Sequence, residues 1–597
     1  MPRRWPIGAE VVPDGVAFRV WAPERRTCEV VLEGGGGSHP LARQEDGAFS
    51  GIVAGAGDGT LYRFRLDGGD LLLPDPASRF QPHGPHGPSQ VVDPTRFAWS
   101  DGDWSGIGRE AQVIYELHVG TYTPEGTFAA LERELPSLVE LGVTTVELMP
   151  LADFPGRFGW GYDGVNLFAP TRLYGGPDDL RRLVDRAHAL GLAVVLDVVY
   201  NHLGPDGNYL GQFGPYFARS KSEWGDAIDF GNPAVREYYS TNAATWIAEY
   251  HLDGLRLDAV HAIVDDPSTH IVGEMARQAR AATPGRDIWI VAENDKQDAW
   301  VFRDLDAGWN DDFHHSARVA ATGVRAAWFG DHLGRPQDLL SGLKWGYLYQ
   351  GQRHRHSGRR RGEPVLDVAP ERFVHFLENH DTVANSVAGE RLWRLTSPGR
   401  LRALTAVLLL GPQTPMLFQG QEFASSARFL YFADHPPELA EAVRKGRAEF
   451  LAQFPDAAEA AARGALDDPA DPATFAASKL DLGERERNRA SLLLHQDLLR
   501  LRRERPARGR VDGAVLGPAA FCVRWMHGEG RLLLVNLGDE LAVDALPEPL
   551  LAPPAHGRWR VLWSSDDPRY GGAGAGLDQE DGLRLPAESA YLLEAVG

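Results

Sequence analysis

Eight short apolar runs, all between residues 111 and 422, constrain this chain most. In order they are VIYELHV, TTVELMP, AVVLDVVY, GLRLDAV, IWIVAEN, a weaker one near LDAGWN, FVHFLENHD and PMLFQGQE. Amphipathic helical patterns separate them, which is the texture of βαβ units. Eight such units predict a (β/α)8 TIM barrel, an α/β fold. Several runs close on a charged residue: Glu147, Asp197, Asp258, Glu293, Asp381 and Glu422. An unpaired buried carboxylate is expensive, so these strand ends are expected to face the barrel mouth, where catalytic groups gather.

The texture differs on either side. The first hundred residues hold short strand patterns (GVAFRVWAP, CEVVLEGGGG, LYRFRL) cut by Gly and Pro, which predicts an all-β sandwich. DPASRFQPHGPHGPSQVVDP then reads as a rigid connector, with His83 and His86 in loop chemistry. Strand patterns return in FCVRWM, RLLLVNL and WRVLWSS, predicting a second sandwich. The expected organisation is a sandwich over 1–95, the barrel with inserted loops and helices over 96–508, and a sandwich over 509–597. The Ala- and Asp-rich stretch after residue 435 reads as a solvated insertion or the last barrel helices. Cys28 and Cys522 are expected to be buried free thiols.

A formal charge of -21 repels nucleic acid and anionic membranes, so neutral or small partners are expected. LTAVLLLGPQTPMLF is too short and too interrupted for a membrane span and reads as a core helix followed by a strand. The opening MPRRWPIGAE carries no readable secretion signal, so the expected location is cytoplasmic.

In GLRLDAVH, Arg256 and Asp258 alternate with leucines, which puts them on one strand face two residues apart. If the barrel forms, Asp258, Glu293 and Asp381 converge from three strands on one site. Hydrolysis of a glycosidic bond needs two carboxyl groups flanking it, one protonated as acid and one ionised as nucleophile or base. One face of this strand would then be core and the other reaction site, with Arg256 as a permanent counter-charge for Asp258.

DVVYNH (197–202), GLRLDAVH (254–261), VAEN (291–294) and ENHD (378–381), in this order, resemble the four signature regions of the α-amylase superfamily of glycoside hydrolases. The resemblance implies Asp258 as nucleophile, Glu293 as general acid and base, and Asp381 as the residue that grips sugar hydroxyls and stabilises the transition state. It also implies sugar contacts from His202 and His380, ring stacking by Tyr162, and orientation of Arg256 by Asp197. No metal for catalysis and no cofactor is expected; Asn201 matches an Asn near which amylases often bind calcium, but one Asn cannot supply the six to eight oxygens that calcium takes, and a structural ion is left open.

The loops narrow the resemblance further. YELHVGTYTPEGTF, RFGWGYDGVNLFAPTRLYGGPDDL, YNHLGPDGNYLGQFGPYF, WNDDFHH and RFLYFADHPPELAEAVRKGR are similar to the maltooligosyltrehalose trehalohydrolases of that superfamily. What this implies is hydrolysis of the α-1,4 bond between a maltooligosyl chain and terminal trehalose, with retention. Trehalose is then released, and a maltooligosyltrehalose synthase acts upstream as functional partner. The nucleophile and acid carboxyls would lie about 5–5.5 Å apart. Trp160, Tyr162, Trp309 and Phe313 are candidate stacking platforms, His261 a leaving-side contact, and Asp311 in WNDDFHH a candidate for recognising the trehalose end. ENHDTVANSVAGERL departs from the expected wording around Asp381. A glycogen branching or debranching enzyme with the same carboxylates is the alternative. The basic stretch GQRHRHSGRRRG (351–362) reads as a mobile loop or lid.

Overall fold

The computed structural model describes residues 3–222, 225–266, 269–386, 388–454, 466–506, 509–526, 530–553, 557–578 and 582–596. Its centre is a closed barrel of eight parallel strands: β1 (Ile114–Leu117), β2 (Thr145–Leu148), β3 (Ala193–Val198), β4 (Gly254–Leu257), β5 (Trp289–Ala292), β6 (Ala307–Trp309), β7 (Phe373–Phe376) and β8 (Thr414–Phe418). β8 closes on β1 with Ile114 opposite Met416. All eight coincide with the apolar runs of the sequence.

The interior shows why charges interrupt those runs. Inward-facing Ile114, Val195, Val291, Val374 and Met416 form a buried apolar cluster with Trp289 and Trp309. Two residues further along, the same strand faces carry Glu116, Asp197 and Glu293, because side chains alternate with period two. Register aligns them, with Glu116 beside Glu147 and Asp197 beside Arg256. β4 begins with glycine: a Cβ at Gly254 would lie 2.0 Å from the Trp289 carbonyl oxygen, so no side chain fits there.

The amino-terminal sandwich stacks two antiparallel sheets. One runs (Gly8–Val12)-(Gly15–Trp21)-(Ala48–Val53)-(Ala42–Arg43). The other runs (Gly37–Pro40)-(Cys28–Leu32)-(Leu61–Leu66)-(Leu72–Leu73), with Ser89–Gln90 also pairing with Leu61–Leu66. The expected connector is therefore stitched back onto this sheet, and its Asp75, Arg79 and Gln81 are buried. The sandwich rests on the barrel helix Pro233–Tyr250, where Trp5 Nε1 donates to Glu249 Oε1 (2.7 Å) and Arg79 pairs with the same carboxylate (3.3 Å).

The carboxy-terminal domain is a five-stranded antiparallel sheet with a second, two-stranded one. It is tied to the barrel by Lys344 to Asp512 (2.7 Å) and by Arg400 Nε to the Leu537 carbonyl (2.8 Å). LTAVLLLGPQTPMLF is a helix, Pro398–Leu410, followed by β8. Of the Ala-rich stretch, helix Pro437–Leu451 is largely solvated, with Leu451 its one buried residue, and residues 455–465 lie outside the described residues. Both cysteines are buried and free.

Candidate active site

The carboxyl ends of the strands open into a cleft of about 1400 Å³. Asp258 directly follows β4 and Glu293 directly follows β5, so the two stand side by side. Asp381 sits in the short helix His380–Ala384 beyond β7, whose first turn is fixed by Asn379 accepting from the Thr382 amide (2.8 Å). All three line the cleft.

Arg256 organises them from below. Fully buried, it donates through Nη1 to Asp197 Oδ2 (2.8 Å) and Asp258 Oδ1 (2.7 Å), and through Nη2 to Glu293 Oε2 (2.7 Å). One guanidinium thus holds three carboxylates, and its fork geometry fixes their mutual placement. Exposure separates their parts: the side chains of Asp258, Glu293 and Asp381 are 13%, 21% and 45% exposed, but Asp197 only 1%. The first three can meet a substrate, whereas Asp197 can act only through its neighbours.

Two further contacts position the pair. Asn201 Nδ2 donates to Asp258 Oδ2 (2.6 Å) and to the Asp258 carbonyl (3.0 Å). Ala259 adopts a left-handed conformation (φ 40°), which costs a non-glycine residue energy, and there its N–H donates to Glu293 Oε2 (3.0 Å). Neither was evident from the sequence. In the sequence Asn201 stands out only as a match to a calcium-region Asn, and no glycine flags the turn.

A second network runs under Asp381. His380 Nδ1 lies 2.6 Å from Glu116 Oε1, and its Nε2 lies 2.9 Å from the Tyr162 hydroxyl, which donates to Asp197 Oδ2 (2.6 Å). Burial alone would lower the His380 pKa, but the carboxylates of Asp381 and Glu116 outweigh it and push it up to about 9. Because the folded value lies above the ordinary 6.5, the stabilisation from this charge is complete below about pH 6.5 and is lost as pH rises through about 9. Glu116→Gln should therefore flatten the fall in thermal midpoint between about pH 6.5 and 9. Calorimetry across that window measures it. Glu147, beside Glu116, has no hydrogen-bond partner for either oxygen among the described residues, and burial, with Glu116 and Asp197 nearby, raises its pKa well above the ordinary carboxylate value.

The aromatic expectations divide. Tyr162 lines the cleft, stacked on His380. Trp160 also lines it, though 5% exposed, with Nε1 donating to the Leu430 carbonyl (2.8 Å). Trp309 and Phe313 are not platforms. Trp309 is 2% exposed and its ring face is covered by the Arg256 guanidinium at 4.2 Å, while Phe313 is stacked on His375 in the core. A strand-end aromatic of sufficient size packs under the site as readily as over it.

His202 lines the cleft beside Asn201, its Nε2 3.0 Å from the Tyr162 carbonyl. His261 lines it on the Glu293 side, where Nδ1 accepts from the Asp295 amide (3.3 Å). Asp311 stands there too, and burial together with Asp295 and Glu293 pushes its carboxyl up to about 8. Beyond it, Asp312, His315 and His332 bring donor atoms within 4.8 Å of one another. Asp312 is already satisfied: Oδ2 accepts from the Leu348 amide (2.7 Å) and the Tyr349 amide (3.1 Å), and Arg361 Nη1 lies 3.4 Å from Oδ1. A guanidinium stands where a metal would need that oxygen. The stretch 351–362 is not a loose loop but a short hairpin against the cleft, with Arg353 bridged to Arg360.

Residues 91–224 match the alpha amylase catalytic domain, residues 6–89 the carbohydrate-binding module 48 (isoamylase N-terminal domain), and residues 508–592 a domain of unknown function, DUF3459. A malto-oligosyltrehalose trehalohydrolase from Deinococcus radiodurans is 41% identical over 568 residues, covering 92% of each chain. One from Saccharolobus solfataricus is 38% identical over 510 residues, 83% of this chain and 87% of its own. A 1,4-alpha-glucan branching enzyme from Corynebacterium jeikeium is 37% identical, but over 280 residues that cover 43% of this chain and 39% of its own. The crystal structure of an assumed alpha amylase from Salmonella typhimurium matches with a TM-score of 0.88 at 36% identity, with both chains covered in full.

Proposed function

This chain belongs to the malto-oligosyltrehalose trehalohydrolase family of α-amylase-type glycoside hydrolases, and from that premise we propose that it cleaves the α-1,4 bond joining a maltooligosyl chain to terminal trehalose. Trehalose leaves and the shortened glucan remains. The observation that carries the chemistry is one guanidinium presenting two partly exposed carboxylates, Asp258 and Glu293, side by side in the cleft.

Asp258 attacks the anomeric carbon of the glucosyl unit next to trehalose, while protonated Glu293 gives its proton to the departing trehalose oxygen. The glycosyl–Asp258 ester forms as the glycosidic bond breaks. Glu293, now ionised, takes a proton from water, which attacks the same carbon and frees Asp258. Two inversions give net retention. Arg256 and Asn201 aim the Asp258 carboxylate, and Asp381 meets the hydroxyls of the sugar as positive charge develops at its anomeric centre. Tyr162, His202 and His380 bound the pocket for that sugar, whereas His261 and Asp311 lie on the departing side.

The branching alternative uses the same carboxylates, and the branching relative is similar over less than half of this chain. The sequence similarity to the Deinococcus radiodurans trehalohydrolase covers 92% of each chain. A terminal trehalose must first be built, so a maltooligosyltrehalose synthase is the functional partner. No helix among the described residues is long and apolar enough to cross a membrane. Proton NMR of maltotriosyltrehalose freshly mixed with the enzyme tests the reaction. Trehalose with α-maltotriose, before mutarotation, is the expected pair. A β-anomer, or chain transfer to another glucan, would contradict it.

A further inference from the structure

The run GQRHRHSGRRRG has the composition of a solvated basic loop, yet one of its arginines is buried. Arg359 and Arg360 are exposed at the cleft mouth, while Arg361 is 8% exposed. The hairpin that holds it is closed by the Gly351 N–H to the Arg361 carbonyl (2.8 Å) and the Arg361 N–H to the Gln352 carbonyl (3.1 Å).

From this hairpin the guanidinium reaches under the segment that follows Glu293. Nε donates to the Asp295 carbonyl (3.0 Å), Nη2 to Asp295 Oδ1 (3.0 Å), and Nη1 points at Asp312 Oδ1 (3.4 Å). The next residue continues the clamp, since the Gly362 N–H donates to the Lys296 carbonyl (3.0 Å). Gly362 has φ 75°, and a Cβ there would lie 1.8 Å from the Tyr349 carbonyl oxygen, so only glycine allows this approach. Lys296 in turn donates to the His261 carbonyl (2.9 Å).

Three segments of different strands are thus pinned together on the side of Glu293: 295–297 after β5, Asp312 after β6, and the hairpin before β7. A general acid faces the leaving group, so this side is where the departing sugar lies. Without Arg361, Asp312 would keep a buried oxygen with no cation beside it, and the Asp295 side chain and carbonyl would lose the donors that hold them to the hairpin.

We propose that Arg361 is a positioning residue that fixes the leaving-group wall of the cleft and thereby sets the preference for a trehalose-ended chain over a plain maltooligosaccharide. The inference rests on the function proposed above. A wall that hydrogen-bonds a compact non-reducing disaccharide discriminates through the placement of its polar groups, so its displacement costs the matched substrate more than the unmatched one.

The test compares kcat/KM for maltotriosyltrehalose and for maltopentaose in the wild type, Arg361→Ala, Arg361→Lys and Asp295→Ala. Arg361→Ala should lose roughly 100-fold on the trehalose-ended substrate, the scale of an ångström-sized misplacement, and much less on maltopentaose. Lysine should fail to rescue, because an ammonium cannot bond Asp295 and Asp312 as a fork does. Asp295→Ala removes one arm of the clamp from a side chain 65% exposed, so it folds and should shift the ratio in the same direction by less. An unchanged ratio, or equal losses on both substrates, overturns the proposal. If Arg361→Ala does not fold, the Asp295→Ala ratio decides alone. A wild type that cleaves both substrates equally overturns the trehalose reading itself, before any variant is compared.

Discussion

Asp258→Ala and Glu293→Gln are each expected to lower kcat on maltotriosyltrehalose by at least about 10⁴-fold, the scale on which a covalent nucleophile or its proton donor is lost. The fold should survive both. Asp258 is partly exposed, and without it Arg256 Nη1 still has Asp197 Oδ2 at 2.8 Å. Glu293→Gln keeps the shape and the acceptor oxygen for the Ala259 amide. Steady-state rates alongside circular dichroism and thermal midpoints separate lost chemistry from lost structure. Near-wild-type turnover in either variant would remove these carboxylates from the mechanism.

Arg256→Met should act in the opposite manner, on the fold before the chemistry. It replaces a fully buried cation bonded to Asp197, Asp258 and Glu293 with an apolar chain of similar length. Breaking one side of a buried charge network costs about 3–5 kcal/mol, because the remaining charges keep their desolvation and lose their partner. The Trp309 ring also loses the cation on its face. The sign of the pH dependence follows. Without the guanidinium the clustered carboxylates hold protons more tightly in the folded state than in the unfolded one, so the deficit relative to wild type should shrink as pH falls. Thermal midpoints of both proteins from neutral pH down into the carboxylate range read this directly. A deficit independent of pH would mean that Arg256 stabilises by packing alone.

The barrel was legible because parallel strands buried on both faces read as near-continuous apolar runs, and carboxylates at their ends stand out against them. Asp258 and Glu293 were visible for that reason. Their supports were not, because each depends on a partner distant in sequence. Glu116 and His380 meet across 264 positions, and Asn201 reaches Asp258 across 57. Glu116 did leave a trace, a carboxylate inside an apolar run, as Glu147 did. Arg361 left none, since it is one of three consecutive arginines and composition cannot tell the buried one from its exposed neighbours. Trp309 and Phe313 show the converse: residue type marks a large ring, but only packing decides whether its face meets sugar, guanidinium or imidazole.

The most direct test of the account is the rate of free trehalose release from maltotriosyltrehalose, followed by chromatography beside the rate of hydrolysis of maltopentaose under the same conditions. Rapid trehalose release with slow attack on maltopentaose is the result the account predicts. Equal cleavage of the two would mean a general α-glucan hydrolase, and would contradict it.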